Sequence, residues 1–231
     1  MKRTTRMIRS LLLVISIAVA GPSFVLGLGA AAPRALAESH QAVTLSPDQS
    51  AAVRRAVRYL NQISTLHARF IQTSSNGTYA EGEMMVQRPG KMRFDYDPPH
   101  PVLIIANGLS LLFYDREVKQ ASFLPLWETP LWFLIREEVT LSEDVVVSAV
   151  EQSPGALRIT LTDRELSEAG SITLVFSDRP LDLKKWEITD AQGVRTQVSL
   201  INPRYGVEID PLAFDYSDLE IQSGARRRER D

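Results

Sequence analysis

The chain has 231 residues, of which 44% are hydrophobic and 23% charged, and this composition excludes disordered, collagen-like and coiled-coil proteins as its main class. The length predicts one domain or at most two small ones. The absence of cysteine excludes disulfides, thiolate metal sites and a cysteine nucleophile. The three histidines are too few to favour a multi-histidine zinc site, so we expect no cofactor.

The first 37 residues have the organisation of a secretory signal peptide. Basic residues and no acidic ones come first, at Lys2, Arg3, Arg6 and Arg9. An apolar run begins at Leu11, and the pattern Ala35-Leu36-Ala37 provides a cleavage site near Ala37. A transmembrane anchor is the alternative, because the stretch 11–32 is long enough to cross a bilayer, but Pro22 and the cleavage pattern favour removal.

Removal of this segment changes the charge balance of the chain. Five basic and no acidic residues are lost, which leaves 21 basic against 28 acidic residues and a net charge of −7. An acidic exported protein binds nucleic acid poorly, and no later stretch is long and apolar enough to span a membrane. We therefore expect a periplasmic protein with no nucleic-acid partner, a single domain over residues 38–223 and a disordered basic tail over residues 224–231.

One amphipathic helix is predicted first, followed by many strands. Ser46-Pro47-Asp48-Gln49 has the pattern of a capping box with proline at the first helical position, and apolar residues then recur at helical spacing up to Ile63. From Leu66 onward the hydrophobic period changes to two, and Asn107-Gly108 indicates a hairpin. About eleven strands in one mostly antiparallel run are typical of a large curved sheet or barrel. The predicted strands begin at Leu66 and cover Tyr79–Gln87, Met92–Tyr96, Val102–Ala106, Ser110–Asp115, Val118–Phe123, Val145–Gln152, Ala156–Asp163, Ser171–Ser177, Leu183–Asp190 and Val194–Ile201.

The strand pattern is interrupted over Leu124–Arg136. Thr129 is a suitable helix cap and Pro130 a suitable first residue for a short helix. Five apolar residues follow without a polar break: Leu131, Trp132, Phe133, Leu134 and Ile135. A single helical turn cannot bury all five against one surface. The segment is therefore either a core helix that closes the open end of the sheet or a movable lid over an apolar cavity.

Arg88 extends an apolar row, because strand alternation places it on the same face as Gly82, Met84 and Val86. A guanidinium buried there requires carboxylates or several backbone carbonyls as partners. The alternative is that Arg88 turns into solvent, since Pro89-Gly90 reverses the chain directly afterwards.

Four soft or aromatic apolar residues form the inward rows of two consecutive strands: Met84, Val86, Met92 and Phe94. Methionine adapts to irregular partners, and wide barrels enclose cavities, which favours a ligand-binding interior. Plain core packing is the alternative. We find no serine-hydrolase elbow, zinc-protease motif or phosphate-binding loop, so the sequence predicts no enzyme.

Several short motifs, in order along the chain, resemble those of the LolA family of periplasmic outer-membrane lipoprotein carriers. Leu66–Gln72 is similar to the family's S-x-x-A-x-F-x-Q motif, and Arg88–Phe94 to its R-P-G motif with a following aromatic residue. Asn107–Asp115 and Leu183–Thr196 resemble two further family motifs, and Gln120 and Thr129-Pro130-Leu131 also fit. The likeness covers roughly residues 48–216.

The resemblance implies an unclosed antiparallel β-barrel whose helices cover an apolar cavity. It implies a monomeric carrier that takes acylated lipoproteins from an inner-membrane ATP-driven complex, LolCDE, and delivers them to an outer-membrane acceptor such as LolB, or directly to the membrane. By position it makes Arg88 the latch on a lid helix over Thr129–Arg136. Met92 and Phe94 fall where the family has cavity or partner-contact aromatics, and Met92 departs from that pattern.

Two other functions are compatible with the sequence. The same fold serves as a lipid- or lipoprotein-sensing module, although such modules usually carry an additional domain. A periplasmic hydrolase with an unrecognised site is the third hypothesis, and it would require one of the histidines. The basic run Arg226–Arg230 has no counterpart in the family, and a membrane tether is the alternative to a disordered end.

Overall fold

Eleven antiparallel strands dominate the protein in a computed structural model, which describes residues 43–129, 131–141, 145–163, 170–190 and 192–220. The predicted signal peptide, the basic tail and Pro130 lie outside these residues. The helices are α1 (Pro47–Asn61), α2 (Trp132–Ile135) and the 3-10 helices Leu126–Glu128 and Pro211–Phe214. The strands are β1 (Thr65–Ser74), β2 (Tyr79–Gln87), β3 (Lys91–Tyr96), β4 (Val102–Asn107), β5 (Ser110–Asp115), β6 (Gln120–Pro125), β7 (Val145–Ser153), β8 (Ala156–Asp163), β9 (Ser171–Asp178), β10 (Leu181–Thr189) and β11 (Arg195–Tyr205).

The sheet is one unclosed meander with a single long-range pairing. Its order is β6-β5-β4-β3-β2-β1-β11-β10-β9-β8-β7, so β6 and β7 form the two free edges. Each half, β1–β6 and β7–β11, is built from neighbours in sequence, and the antiparallel pairing of β1 with β11 joins them. The prediction of a mainly β, unclosed antiparallel fold with about eleven strands is confirmed, and β2, β5 and β8 have the predicted bounds.

Helix α1 begins at the predicted capping box. The Gln49 backbone N–H donates to Ser46 Oγ over 3.2 Å, and the Ser46 backbone N–H donates to Gln49 Oε1 over 2.9 Å. The apolar stripe of α1 is buried, with Val53 and Leu60 in the core. Arg55, at the edge of this stripe, forms an ion pair with Asp178 of β9. The helix therefore lies across the concave side of the sheet.

Aromatic packing fills the centre of the concave face and explains one glycine. The Phe70 ring meets Phe94 and Tyr96 edge to face, with ring centroids 5.1 Å apart in both pairs. On the neighbouring strand, Gly82 leaves room for Phe70. A Cβ there would lie 2.9 Å from Phe70 Cε1 and would overlap the backbone oxygen of Asp95. The packing of Phe70 in the core thus requires glycine at position 82 of β2.

A second, smaller core lies on the convex face of the sheet. Leu103 and Ile105 of β4 and Leu112 of β5 are buried there against Phe214. Phe214 belongs to the C-terminal strap, which we define as residues 206–220, and Tyr114 Oη donates to the backbone oxygen of the last of these residues over 2.9 Å. Strand β4 is consequently buried on both faces.

None of the helices in the described ranges is long and apolar enough to cross a membrane.

Candidate functional site

The segment that follows β6 covers the apolar interior next to α1. We call residues 131–139 the cover. Helix α2 is shorter than the predicted Thr129–Arg136, because it begins at Trp132 and ends at Ile135. Thr129 does not cap it. Its hydroxyl donates to the backbone oxygen of Leu126 over 2.8 Å and so closes the preceding 3-10 turn instead.

The five apolar residues predicted for this helix all pack towards the interior. Leu131, Phe133 and Ile135 are buried. Trp132 and Leu134 are half-buried and pack against the same core.

Arg88 connects the cover to α1 through backbone carbonyls. Its Nε and Nη2 donate to the oxygen of Leu134 over 2.8 Å and 2.6 Å, and its Nη1 donates to the oxygen of Leu60 over 2.7 Å. Burial, together with the positive charge of Arg136, lowers the pKa of Arg88 to about 10, so the guanidinium stays charged at neutral pH. One side chain thus bridges α2 and the last turn of α1, and it does not turn into solvent.

The backbone around Arg88 also holds the cover. The Gly90 N–H donates to the oxygen of Ile135 over 2.6 Å. Gly90 has a φ of +74°, and a Cβ there would lie 2.8 Å from Cα of Gly108, so the tight β2–β3 turn requires glycine. The turn therefore fixes the end of α2 by main-chain contact, next to the side-chain contact of Arg88.

Asn61 is a contact of the cover that the sequence analysis missed. Its Nδ2 donates to the oxygen of Val139 over 3.1 Å, and the Val139 N–H donates to Asn61 Oδ1 over 2.8 Å. The only sequence signal is an asparagine in the last turn of a predicted helix, which does not identify a distant partner. With Arg88 bound to Leu60, the end of α1 holds the cover at two places.

The predicted interior residues lie together beneath the cover. In the β2–β3 register, Met84 faces Phe94 and Val86 faces Met92, and all four are buried in the main core. This position agrees both with plain core packing and with a ligand-binding interior.

Polar groups also lie within this apolar interior, among them those of Tyr96 and Trp186. Tyr96 Oη donates to Gln72 Oε1 over 2.7 Å, and burial raises the pKa of the Tyr96 hydroxyl far above its usual value. Trp186 lies on β10 with 2% of its surface exposed, and its ring meets Phe94 edge to face at 6.3 Å between centroids. Its indole nitrogen has no hydrogen-bond partner among the residues that the structure describes.

The described histidines lie outside the interior. His67 is on the convex face of β1, where Nδ1 is 2.6 Å from Arg204 Nη2 and Nε2 is 3.8 Å from Glu83 Oε2. His100 Nε2 lies 2.9 Å from the backbone oxygen of Tyr79 at the opposite end of the sheet from the cover. Within the described ranges there is no cluster of three or more His, Asp or Glu side chains suited to a metal ion. These contacts lend no support to a hydrolytic site.

Comparison with known proteins relates the chain to lipoprotein carriers. The family described as outer membrane lipoprotein carrier protein LolA matches residues 61–217. An outer-membrane lipoprotein carrier protein of Methylococcus capsulatus is 28% identical over 71% of this chain and 82% of its own length. The protein of the same name from Azotobacter vinelandii is 26% identical over 79% of this chain and 93% of its own length. The crystal structure of a LolA superfamily protein from Nitrosomonas europaea aligns with a TM-score of 0.41 and 10% identity over 71% of this chain and 97% of that one.

Proposed function

Since the chain belongs to the LolA family of outer membrane lipoprotein carrier proteins, we propose that it is a periplasmic carrier that shields the acyl chains of lipoproteins between two membranes. The observation that supports this most directly is the covered apolar interior, whose cover is held by hydrogen bonds from Arg88, Gly90 and Asn61. No catalytic step is required for this function.

The energy of acyl-chain burial makes such a carrier effective and also creates a problem of release. Each methylene moved from water into an apolar interior contributes about 0.8 kcal/mol, so a long acyl chain would bind very tightly. A carrier has to give its cargo up again. Contacts that favour the empty, covered state reduce the net affinity, because binding must first break them.

Arg88 is the residue we propose for this role. It makes two hydrogen bonds to the carbonyl of Leu134 and one to that of Leu60, and the two to Leu134 break when α2 moves away from α1. The interior that opens would be lined by Met84, Val86, Met92 and Phe94, with the apolar residues 131–135 of the cover facing the acyl chain.

The partners of this function follow from the family and are proposals for this chain. We propose that an inner-membrane ATP-driven complex of the LolCDE kind supplies the cargo. The acceptor would be an outer-membrane receptor of the LolB kind, or the membrane itself. A single domain acting as a monomer, exported by cleavage near Ala37, is sufficient for this route.

Native mass spectrometry of the mature protein with a synthetic triacylated lipopeptide tests the proposal. We expect a stoichiometric complex that a peptide without acyl chains does not form. A variant with Trp132→Ser and Phe133→Ser should lose this complex. As a matched control, Trp127→Ser on the exposed preceding turn should retain it. A wild-type protein that stays free of the lipopeptide would contradict the carrier function.

A further inference from the structure

Trp186 places a hydrogen-bond donor in the apolar interior. It lies on the inward face of β10, where the residues on either side of it on the same face, Leu183 and Ile188, are buried and apolar. In register across the sheet it pairs with Leu174 of β9 and Val198 of β11, which are apolar as well. These four neighbours of Trp186 all have side chains that cannot accept a hydrogen bond.

The indole N–H is the unusual part of this residue. Nε1 is buried and finds no acceptor in the described part of the chain, whereas the nearby Tyr96 hydroxyl is satisfied by Gln72. Buried donors are nearly always paired, and an unpaired one destabilises the folded chain. Phenylalanine would fill most of this space against Phe94 without that cost. An acceptor that arrives from outside the chain would satisfy this donor.

We infer that Trp186 Nε1–H donates a hydrogen bond to an acyl carbonyl oxygen of the bound cargo. This inference rests on the proposed carrier function and names the chemical group that the interior recognises. A saturated hydrocarbon chain has no acceptor, but an acyl chain attached as an ester or amide has one carbonyl at its head. Trp186 is in this way a specificity-determining residue that distinguishes acylated cargo from other apolar molecules.

The charge of the surroundings selects a neutral acceptor. The side chains that flank Trp186 on the inward face are uncharged, and the neighbouring Lys185 points away and donates to Gln197 Oε1 over 2.7 Å. An ionised carboxylate buried there without a cation would be strongly disfavoured. The expected ligand group is an ester or amide carbonyl and not the head group of a free fatty acid.

Two lipopeptides that differ only at the carbonyl provide the test. Both carry the same peptide on an S-glyceryl cysteine, one with two palmitoyl esters and the other with two hexadecyl ethers. We expect the wild-type protein to bind the ester about tenfold more tightly, which corresponds to about 1.4 kcal/mol. Trp186→Phe should bind both with the affinity that the wild-type protein has for the ether.

Two controls separate this effect from a loss of structure. Trp127→Phe removes an exposed indole N–H outside the interior and should keep the ester preference. The Trp186→Phe variant without ligand should lose little stability to urea, because removal of an unpaired buried donor offsets the loss of packing by the smaller ring. If Trp186→Phe does not fold, NMR of the wild-type protein replaces it as the test. The indole proton resonance of Trp186 should move downfield when the ester lipopeptide binds and should not do so when the ether binds.

The outcomes distinguish the inference from the carrier function. Equal wild-type affinity for ester and ether, an ester preference that survives in Trp186→Phe, or an indole proton that responds alike to both ligands overturns the inference and leaves the carrier in place. A wild-type protein that binds neither lipopeptide overturns both.

Discussion

Asn61 and Val139 share two hydrogen bonds, with the asparagine side chain satisfying both the N–H and the carbonyl of the valine at distances of 2.8 Å and 3.1 Å. The far end of the cover is thereby fixed to the end of α1. Arg88 acts at the same helix end through Leu60, one residue earlier. Movement of the cover therefore requires that α1 release it at both places.

Replacing Asn61 by alanine should loosen the cover at Val139 without unfolding the sheet. The change removes two hydrogen bonds at a largely exposed position, and we expect a local loss of about 1 kcal/mol. Hydrogen exchange measured by mass spectrometry should show faster exchange in peptides that contain the cover. Gln62→Ala, at the exposed neighbouring position, serves as the control and should leave the exchange unchanged. Unaltered exchange in Asn61→Ala would show that this contact does not hold the cover.

Replacing Arg88 by leucine should raise cargo retention and slow its transfer. The variant lacks the two hydrogen bonds to Leu134 that opening the cover has to break, so the empty covered state is less favoured and we expect transfer to be about tenfold slower. The rate at which a fluorescent lipopeptide passes from the protein to liposomes measures this effect. Arg116→Leu removes an arginine of the convex face, which contacts Asp95, and should transfer at the wild-type rate. An unchanged rate in Arg88→Leu would mean that Arg88 is not the latch.

Replacing Gly82 by alanine should destabilise the whole protein. The new methyl group would overlap the backbone oxygen of Asp95 and press on the ring of Phe70, and neither is free to move within the sheet. We expect a loss of about 2–3 kcal/mol in the free energy of unfolding, measured by urea denaturation. A midpoint equal to that of the wild type would show that the centre of the sheet has room for a methyl group at position 82.

Lowering the pH should destabilise the packing on the convex face of the sheet, because the Asp95 carboxylate becomes protonated. Burial raises the pKa of this carboxyl, but hydrogen bonds from Arg93 over 2.8 Å and Arg116 over 2.7 Å outweigh it, so the pKa lies below its ordinary value. The ionised form therefore stabilises the fold above the ordinary pKa of an aspartate, about 3.9, and this contribution is lost as the pH falls through the lower folded-state value. Arg93 also donates to Ala213 in the strap, so loss of the Asp95 charge should make this contact less well fixed.

Urea unfolding of the wild type and Asp95→Asn between pH 7 and pH 2 measures this contribution. The variant should be less stable at neutral pH, and the difference between the two proteins should vanish towards the acid end. A difference that persists unchanged at pH 2 would contradict the role given to the charge of Asp95.

Local patterns predicted the elements of this fold well. The capping box at Ser46 and Gln49 and the hairpin at Asn107-Gly108 depend on residues a few positions apart, and both form as expected. Alternation also placed Arg88, Met84 and Val86 on the inward face, because strand geometry determines the direction of each side chain. For these features, a few neighbouring residues are enough to determine the local structure.

Contacts between distant segments were not predictable in the same way. The role of Thr129 as a helix cap was wrong, because its hydroxyl found a nearer carbonyl at Leu126. The partners of Arg88 and Asn61 depend on how α1 lies against α2, which no local pattern determines. The strap over β4 had one signal, the unbroken apolar run from Val102 to Ala106, which is typical of a strand buried on both faces.

The pairing of β1 with β11 has a consequence for how the chain reaches its folded state. Phe70 lies opposite Leu200, near the other end of the described chain, so this contact forms only when nearly all of the polypeptide is available. Contacts this distant in sequence make folding slow, whereas the two meanders on either side form from adjacent hairpins. A chain threaded through a translocation channel from its N-terminus therefore stays incompletely folded until its last strand emerges. The topology that joins the two halves of the sheet is in this way compatible with passage across a membrane in an extended form.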